Sequence, residues 1–276
     1  MPIIWTLAVD LGLFCVSVLS GMLGIGVAFA AIPILAIGGG DLVHELQPVA
    51  LFLNGVTALF SAVAFARAGY VDWPRALWIS AVATLLSPCG AYIAHFLEAR
   101  LLWACYLAAL VAVLFLLGIE GNSRTARDWF VHALVACVPI SLFSGMLGVG
   151  PGFLLVPTLI FLGVKPRAAA AINSVAVVPS SFASLIPHIG TATVSVATYA
   201  PIVAIAAGGA LLGGYLSSYK ASDRTLRYLF VVVLLCLASY RAVALYWPQD
   251  QAIPAGSGPC EWPVPLPTIP SGGACR

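Results

Sequence analysis

Glycines, serines and two carboxamides, not acids, bases or metal ligands, are the residues of this chain whose spacing could act on a ligand. Ser20, Gly21, Gly24 and Gly26 lie in SGMLGIGVAFAAIPIL, from Ser20 to Leu35. Ser144, Gly145, Gly148, Gly150 and Gly152 lie in SGMLGVGPGFLLVPTL, from Ser144 to Leu159. At a fixed offset of 124 residues, nine of the sixteen positions are identical. Each copy interrupts a long apolar stretch with glycines, which let backbone bend or approach a ligand closely. A short apolar segment follows each interruption. Its N-terminus would offer backbone N–H groups and the positive end of a helix dipole, which bind an anion without any Lys or Arg. Pro151 suits the first turn of the second short segment, where its missing N–H costs nothing.

Neutral side chains in neighbouring apolar segments could complete such a site. Asn54, Thr57 and Ser61 share one face of a helix, and Asn173, Ser174, Ser180, Ser181 and Ser184 recur after the second break. A lone serine or threonine more often bonds its own helix backbone. Asn54 and Asn173 are more telling, because a carboxamide is costly to leave unsatisfied in lipid. The competing reading of the glycines is close helix packing of the GxxxG kind. Two copies, each followed by a short segment and a proline (Pro33, Pro157), favour the site reading.

Other chemistries lack their residues. No HExxH, paired intramembrane aspartates, Ser-Lys or Ser-His pair or Walker motif occurs, so no catalytic residue, resident metal or cofactor is expected and the chain does not read as an enzyme. Glu45, Glu98, Glu120 and Asp128 fall at segment ends, which disfavours a buried carboxylate relay. His44, His95, His132 and His188 also fall near segment ends and read as interfacial, the alternative being a proton-coupling role for His44 or His188.

The elements that must hold these groups are membrane helices. Hydrophobic residues make up 62% of the 276 and charged residues 8%, against about 25% charged in soluble domains. The solvent is therefore lipid. A net charge of +2 without a Lys/Arg cluster excludes nucleic acid as a partner. Apolar segments run over 3–19, 27–37, 46–66, 73–96, 101–118, 129–143, 153–162, 168–189, 194–216 and 226–246. Most are long enough to cross a hydrocarbon core of about 30 Å, but the segments after the breaks reach about half of it. Ala28-Phe29-Ala30 imitates a signal-peptidase site, yet no Lys or Arg precedes Arg67, so the N-terminus is expected to be retained.

Positive charge then predicts topology. If each glycine break reverses the chain, one face holds Arg67, Arg75, Arg124, Arg127, Lys165, Arg167, Lys220, Arg224 and Arg227, and the other holds Arg100, Arg241 and Arg276. If each break merely interrupts one spanning helix, the twelve charges split six and six. The first arrangement satisfies the positive-inside rule. It predicts both termini outside and a second repeat inverted relative to the first. The expected fold is all-α: a polytopic integral membrane protein of 8–10 apolar segments in two inverted repeats. Each repeat would hold a glycine-broken helical hairpin and about three spanning helices. The repeats would occupy residues 1–120 and 129–247, joined by a cytoplasmic loop at 121–128 and followed by a Pro/Gly-rich tail at 248–276 outside the membrane.

Twin segments of the form GMLGxGxxFxxxPxL, the RAGYVDW that ends His44–Trp73, and KPRAAAAINS from Lys165 to Ser174 together resemble the sulfite exporter TauE/SafE family of permeases. The resemblance covers about Ile4 to Tyr246. It implies secondary transport of a small sulfur-containing anion such as sulfite or an organosulfonate, by alternating access, in a bacterial inner membrane. A coupling proton or sodium ion would be a further partner, besides lipid, and the oligomeric state stays open. The chain departs from the family by Val27-Ala28, where the glycine run often continues, and by its tail. The substrate is expected between the two breaks, against Ser20, Gly21, Gly24, Gly26, Asn54, Ser144, Gly145, Gly148, Gly150, Gly152, Asn173 and Ser174. An anion channel is one alternative, and a membrane protein handling thiol or redox equivalents through its intramembrane cysteines is another.

Cys260 and Cys275 lie in the tail, and fourteen residues separate them. In an oxidising compartment they could pair, the alternative being two free thiols. Mass spectrometry of the unreduced, alkylated protein should find neither residue alkylated if they are bridged; an alkylated Cys260 or Cys275 excludes the disulfide.

Overall fold

A computed structural model describes residues 2–35, 42–98, most of 100–111, 129–188 and 200–246. The main helices of these residues are α1 (Pro2–Leu23), α2 (Ala28–Leu35), α3 (Gln47–Arg67), α4 (Trp73–Ala94), α5 (Trp129–Leu147), α6 (Gly152–Phe161), α7 (Pro166–Ser184), α8 (Ala200–Tyr219) and α9 (Asp223–Tyr246), with a further apolar helix over Arg100–Ala109. A π-helical turn, Leu42–Leu46, leads into α3, and a 3-10 turn, Ile186–His188, follows α7. Among the described residues there is no strand. Among the described residues five helical stretches are long and apolar enough to cross a membrane: His44–Arg67, Trp73–Ala94, Trp129–Leu147, Pro166–His188 and Ala200–Tyr219. The protein is thus a polytopic all-α membrane protein. α7 starts at Pro166, two residues before the apolar segment predicts, because proline at the start of a helix forfeits no hydrogen bond.

On α4 mostly small residues turn inward. α4 buries Ala76, Ser80, Ala83, Ser87, Gly90 and Ala91, while Leu77, Trp78 and Leu85 stand exposed on its outside. In lipid a large apolar side chain gains nothing by burial against protein, so close backbone approach through small residues does the packing. Two seams show this. In one, Gly21 of α1 lies against the Ala210 carbonyl of α8, and Gly213 lies against the Val18 carbonyl. In the other, Gly145 of α5 lies against the Ser87 carbonyl of α4, and Gly90 lies against the Leu142 carbonyl. Residues 18 and 21 map onto 142 and 145 by adding 124, and residues 87 and 90 map onto 210 and 213 by adding 123. The same contact is therefore built twice, each time between one helix of the first half and one of the second. Residues 1–120 and 129–247 are interleaved; the joint at 121–128 and the tail at 248–276, with Cys260 and Cys275, lie outside the described residues.

Contacts between loops identify the two ends of the bundle. At one, Arg167 at the start of α7 donates to Tyr70 Oη beyond α3 at 2.8 Å and to the Ala221 carbonyl between α8 and α9. Arg75 at the start of α4 stacks over Trp129 at the start of α5 at the same end, 5.0 Å from the ring centroid. At the opposite end, His95 after α4 lies between His44 before α3 and His188 after α7. α3 and α7 therefore run in opposite directions. They also match in sequence, since Asn54/Asn173 and Ser61/Ser180 are both separated by 119 residues.

The helices that precede the breaks arrive from opposite ends. α1 is parallel to α8, because Gly213 faces Val18 and Met22 while the earlier Gly209 faces Phe14 and Ser17. α5 is parallel to α4, because Gly90 faces Leu142 and Met146 while the earlier Ile79 carbonyl accepts from Cys137 Sγ at 3.7 Å. α1 thus descends from the histidine end, and α2 leads back to it before His44. α5 rises from the arginine end, and α6 leads back to Lys165 and Arg167. The chain therefore turns back on itself at each break.

A side chain at Gly213 must displace backbone of α1, whereas Gly208 on the exposed side of the same helix has nothing within 4 Å of an added Cβ. Gly213→Ala should cost about 1–3 kcal/mol of stability. Gly208→Ala should raise stability by up to about 1 kcal/mol through helix propensity. Thermal unfolding of both variants in one detergent checks the contrast.

Candidate functional site

Both breaks use two left-handed glycines, a conformation that costs other residues about 1–2 kcal/mol. Gly24 (φ 64°) and Gly148 (φ 70°) end the long helices. Behind Gly148, the Val149 amide donates to the Ser144 carbonyl at 3.2 Å and the Gly148 amide to the Gly145 carbonyl at 3.0 Å. That pair of bonds is the Schellman closure of a helix C-terminus. The Ile25 amide reaches the Ser20 carbonyl at 3.3 Å in the first copy. Gly26 (φ 77°) and Gly150 (φ 70°) then send the chain back. Pro151 is the N-cap of α6, one residue earlier than its expected place in the first turn.

The two breaks pass beside each other in opposite directions, and an asparagine brackets each end of the crossing. Asn54 of α3 accepts from the Ala28 amide at 2.9 Å through Oδ1 and donates from Nδ2 to Ser181 Oγ at 2.9 Å. It lies against both Gly26 and Gly150. Asn173 of α7 donates from Nδ2 to the Gly24 carbonyl at 2.6 Å and lies against Gly152. Gly152 in turn sits on the Ile25 carbonyl. Gln47 adds a bond from Nε2 to the Met146 carbonyl at 3.2 Å, beside Gly148.

The expected site residues fall into three groups. Gly24, Gly26, Gly148, Gly150, Gly152, Asn54 and Asn173 meet at the crossing. Gly21 and Gly145 lie one turn earlier, in the α1–α8 and α5–α4 seams, where they pack helices. The serines divide again: Ser144 Oγ donates to its own helix at Ile140 and Ser174 Oγ to Ala171, at 2.6 and 2.8 Å, whereas buried Ser20 Oγ has no hydrogen-bond partner. Ser61 Oγ donates to the Gly21 carbonyl at 2.8 Å. One expectation changes: the Ala28 N–H at the start of α2 is bonded to Asn54, so it is not an open donor in this arrangement.

Two polar residues of the same region, Ser17 and Gln47, do not stand out in the sequence. Ser17 Oγ, Gln47 Oε1 and Asn173 Oδ1 are buried without hydrogen-bond partners. Ser17 was legible as the residue one turn before Ser20, and Gln47 as a carboxamide at the head of an apolar helix. The polar side chains gathered here are all uncharged. Ile25, Val27, Ala28 and Val149 are all 1% exposed or less, so the breaks touch and a ligand between them requires their separation. A groove between α3 and α8, lined by Phe52, Val56, Phe60 and Val203, is apolar. Among the described residues no group of His, Cys, Asp and Glu could hold a metal ion. Cys15, Cys89, Cys105, Cys137 and Cys236 are all free thiols.

The sequence profile of the family described as Sulfite exporter TauE/SafE matches residues 11–241, which include both breaks and both asparagines. The chain belongs to the TauE/SafE family. A TauE/SafE membership makes it a multi-pass membrane transporter protein. Two curated relatives agree: each is a "Probable membrane transporter protein" of Xylella fastidiosa, one from strain Temecula1 and one from strain 9a5c. Each is 27% identical over 233 residues, which cover 80% of this chain and 88% of the relative. No solved structure matches.

Replacing Asn54 by Leu strands the Ala28 N–H and the Ser181 hydroxyl in an apolar interior. Leaving such a group unpaired costs about 1–3 kcal/mol, so Asn54→Leu should lower the unfolding temperature measurably. Asn54→Ala with an unchanged unfolding temperature would remove this carboxamide from the account of how the break is held.

Proposed function

We propose that the protein is a secondary transporter that moves a small sulfur-containing anion, such as sulfite or an organosulfonate, across a bacterial inner membrane by alternating access. The crossing of the two breaks carries this reading. Broken helices meeting inside a bundle are where transporters of this kind hold their substrates, and irregular backbone at that depth is tolerated only in protein or beside a cavity. The N-termini of α2 and α6 begin at the crossing and favour negative charge. Neutral hydroxyls and carboxamides nearby supply directional donors without a counter-charge that would hold the anion too firmly to release.

The two halves act as inverted repeats in this proposal, supported by the opposite directions of the matched helices α3 and α7. Both termini lie outside, and the arginine end faces the cytoplasm, as the bias of Lys and Arg toward that end favours. Rocking of one repeat against the other parts the breaks from alternate sides. Separation exposes Ser20 Oγ, the remaining Nδ2 hydrogens of Asn54 and Asn173, and the backbone at Gly26 and Gly152. A proton or sodium ion drives the cycle.

Ser20→Ala gives a test that separates ligand binding from folding. Its hydroxyl makes no hydrogen bond in this structure, so its loss should not lower stability. Sulfite flux into or out of proteoliposomes should nevertheless fall about tenfold, the value of one good hydrogen bond. Gly150→Val, which forces a side chain toward Asn54, should abolish flux. Normal flux in both variants overturns the site, and flux that neither saturates nor responds to a counter-gradient favours a channel.

A further inference from the structure

Three of the four histidines in the chain meet at one end of the bundle, although they are distant in sequence and lie outside the crossing. His44 belongs to the π-helical turn before α3, His95 caps the C-terminus of α4, and His188 ends the 3-10 turn after α7. The ring centroids of His44 and His95 are 5.6 Å apart and those of His95 and His188 are 4.8 Å apart. His188 is 1% exposed, while His44 and His95 are half-buried. The cluster therefore has one member removed from water and two near it.

Imidazole is the side chain that takes up a proton near neutral pH. Rings this close, one of them buried, repel strongly if two carry charge, so they gain protons as a coupled set and not independently. The π-turn packs on α3, and the 3-10 turn packs on α4 and α7. The other ionisable side chains that these elements carry at this end are Glu45, Tyr92 and Glu98, with Arg100 just beyond. The Glu45 carboxylate stands on the same turn as His44 and can offset the charge of one proton, not of two.

Position gives the cluster a consequence. It sits at the mouth of the α3–α7 seam, above the Asn54–Ser181 bond that ties the same two helices. It joins two helices of the first half to one of the second, so anything that forces the rings apart loosens the halves at this end. We propose that His44, His95 and His188 form one proton-binding cluster that latches the histidine end. One shared proton leaves it closed, and a second, acquired when that side is acidified, parts α7 from α3 and α4. The consequence for flux rests on the transport reading, but the protonation and the opening do not require a substrate.

Histidine-labelled protein in lipid nanodiscs, titrated by 15N NMR, tests the coupling. The three clustered rings should show multi-step curves. His95→Gln should shift the curves of both His44 and His188 by about half a pH unit or more; His44→Gln replaces it if that variant does not fold. Unchanged curves for the remaining pair overturn the cluster. Opening is read from Ser184→Cys, placed in a variant whose seven native cysteines are replaced. Ser184 is fully buried about one turn from His188, and its hydroxyl has no hydrogen-bond partner. Labelling by a membrane-impermeant thiol reagent, normalised to the unfolded protein at each pH, should be several-fold faster at about pH 5.5 than at about pH 8. Adding His95→Gln should remove that difference. Equal normalised rates with the cluster intact overturn the latch, and neither measurement depends on whether sulfite is transported.

Discussion

Backbone unwound inside an apolar bundle must find its hydrogen bonds within the protein, and the carboxamide of Asn54 is where this chain meets that demand. One amide group satisfies an N–H at the start of α2 and reaches Ser181 on the opposite, sequence-matched helix. Asn173 does the corresponding work at the Gly24 carbonyl. Water could supply neither bond at this depth. The reversal of the chain at each break, the direction of each short helix and the juxtaposition of the two breaks all depend on these two side chains.

Small residues make the arrangement geometrically feasible. The seams between helices are lined with Ala, Gly and Ser, so helix backbones touch. Gly21 with Ala210 and Gly145 with Ser87 repeat one contact on either side of the crossing. Each seam links the two halves, so neither half can move without sliding along a glycine contact. Such seams suit tilting of a pair of helices better than their separation, and they leave the crossing as the place where motion is felt.

The crossing is closed in this structure, and its polar groups differ in how they are engaged. The asparagine amides and Ser61 hold the breaks in place, while Ser17 and Ser20 carry hydroxyls that bond nothing. A buried hydroxyl without a partner is costly in a static core. It is understandable where a polar ligand is admitted in another stage of a cycle. The bonds from Asn54 and Asn173 are of modest net value, so a bound anion that accepts hydrogen bonds can compensate for exchanging them. At the ends of the bundle the closures differ in kind: a guanidinium bonded to tyrosine and carbonyl oxygens at one, and three imidazoles at the other.

The sequence by itself determined the class of protein and the duplicated breaks. Composition fixes the solvent, glycine pairs fix where helices must stop, and the distribution of Lys and Arg selects chain reversal at each break. These are local or additive properties, readable one residue at a time. Tertiary structure decided what each polar residue does. Ser20 and Ser144 occupy matched positions in nearly the same words, yet Ser144 bonds its own helix and Ser20 bonds nothing. Gly21 and Gly24 belong to one motif, yet one packs against α8 and the other ends α1. His44, His95 and His188 read singly as interfacial residues and become a cluster only because three helix ends converge. A hydrogen bond or a ring contact depends on partners a hundred residues away, and one-dimensional spacing does not carry that information.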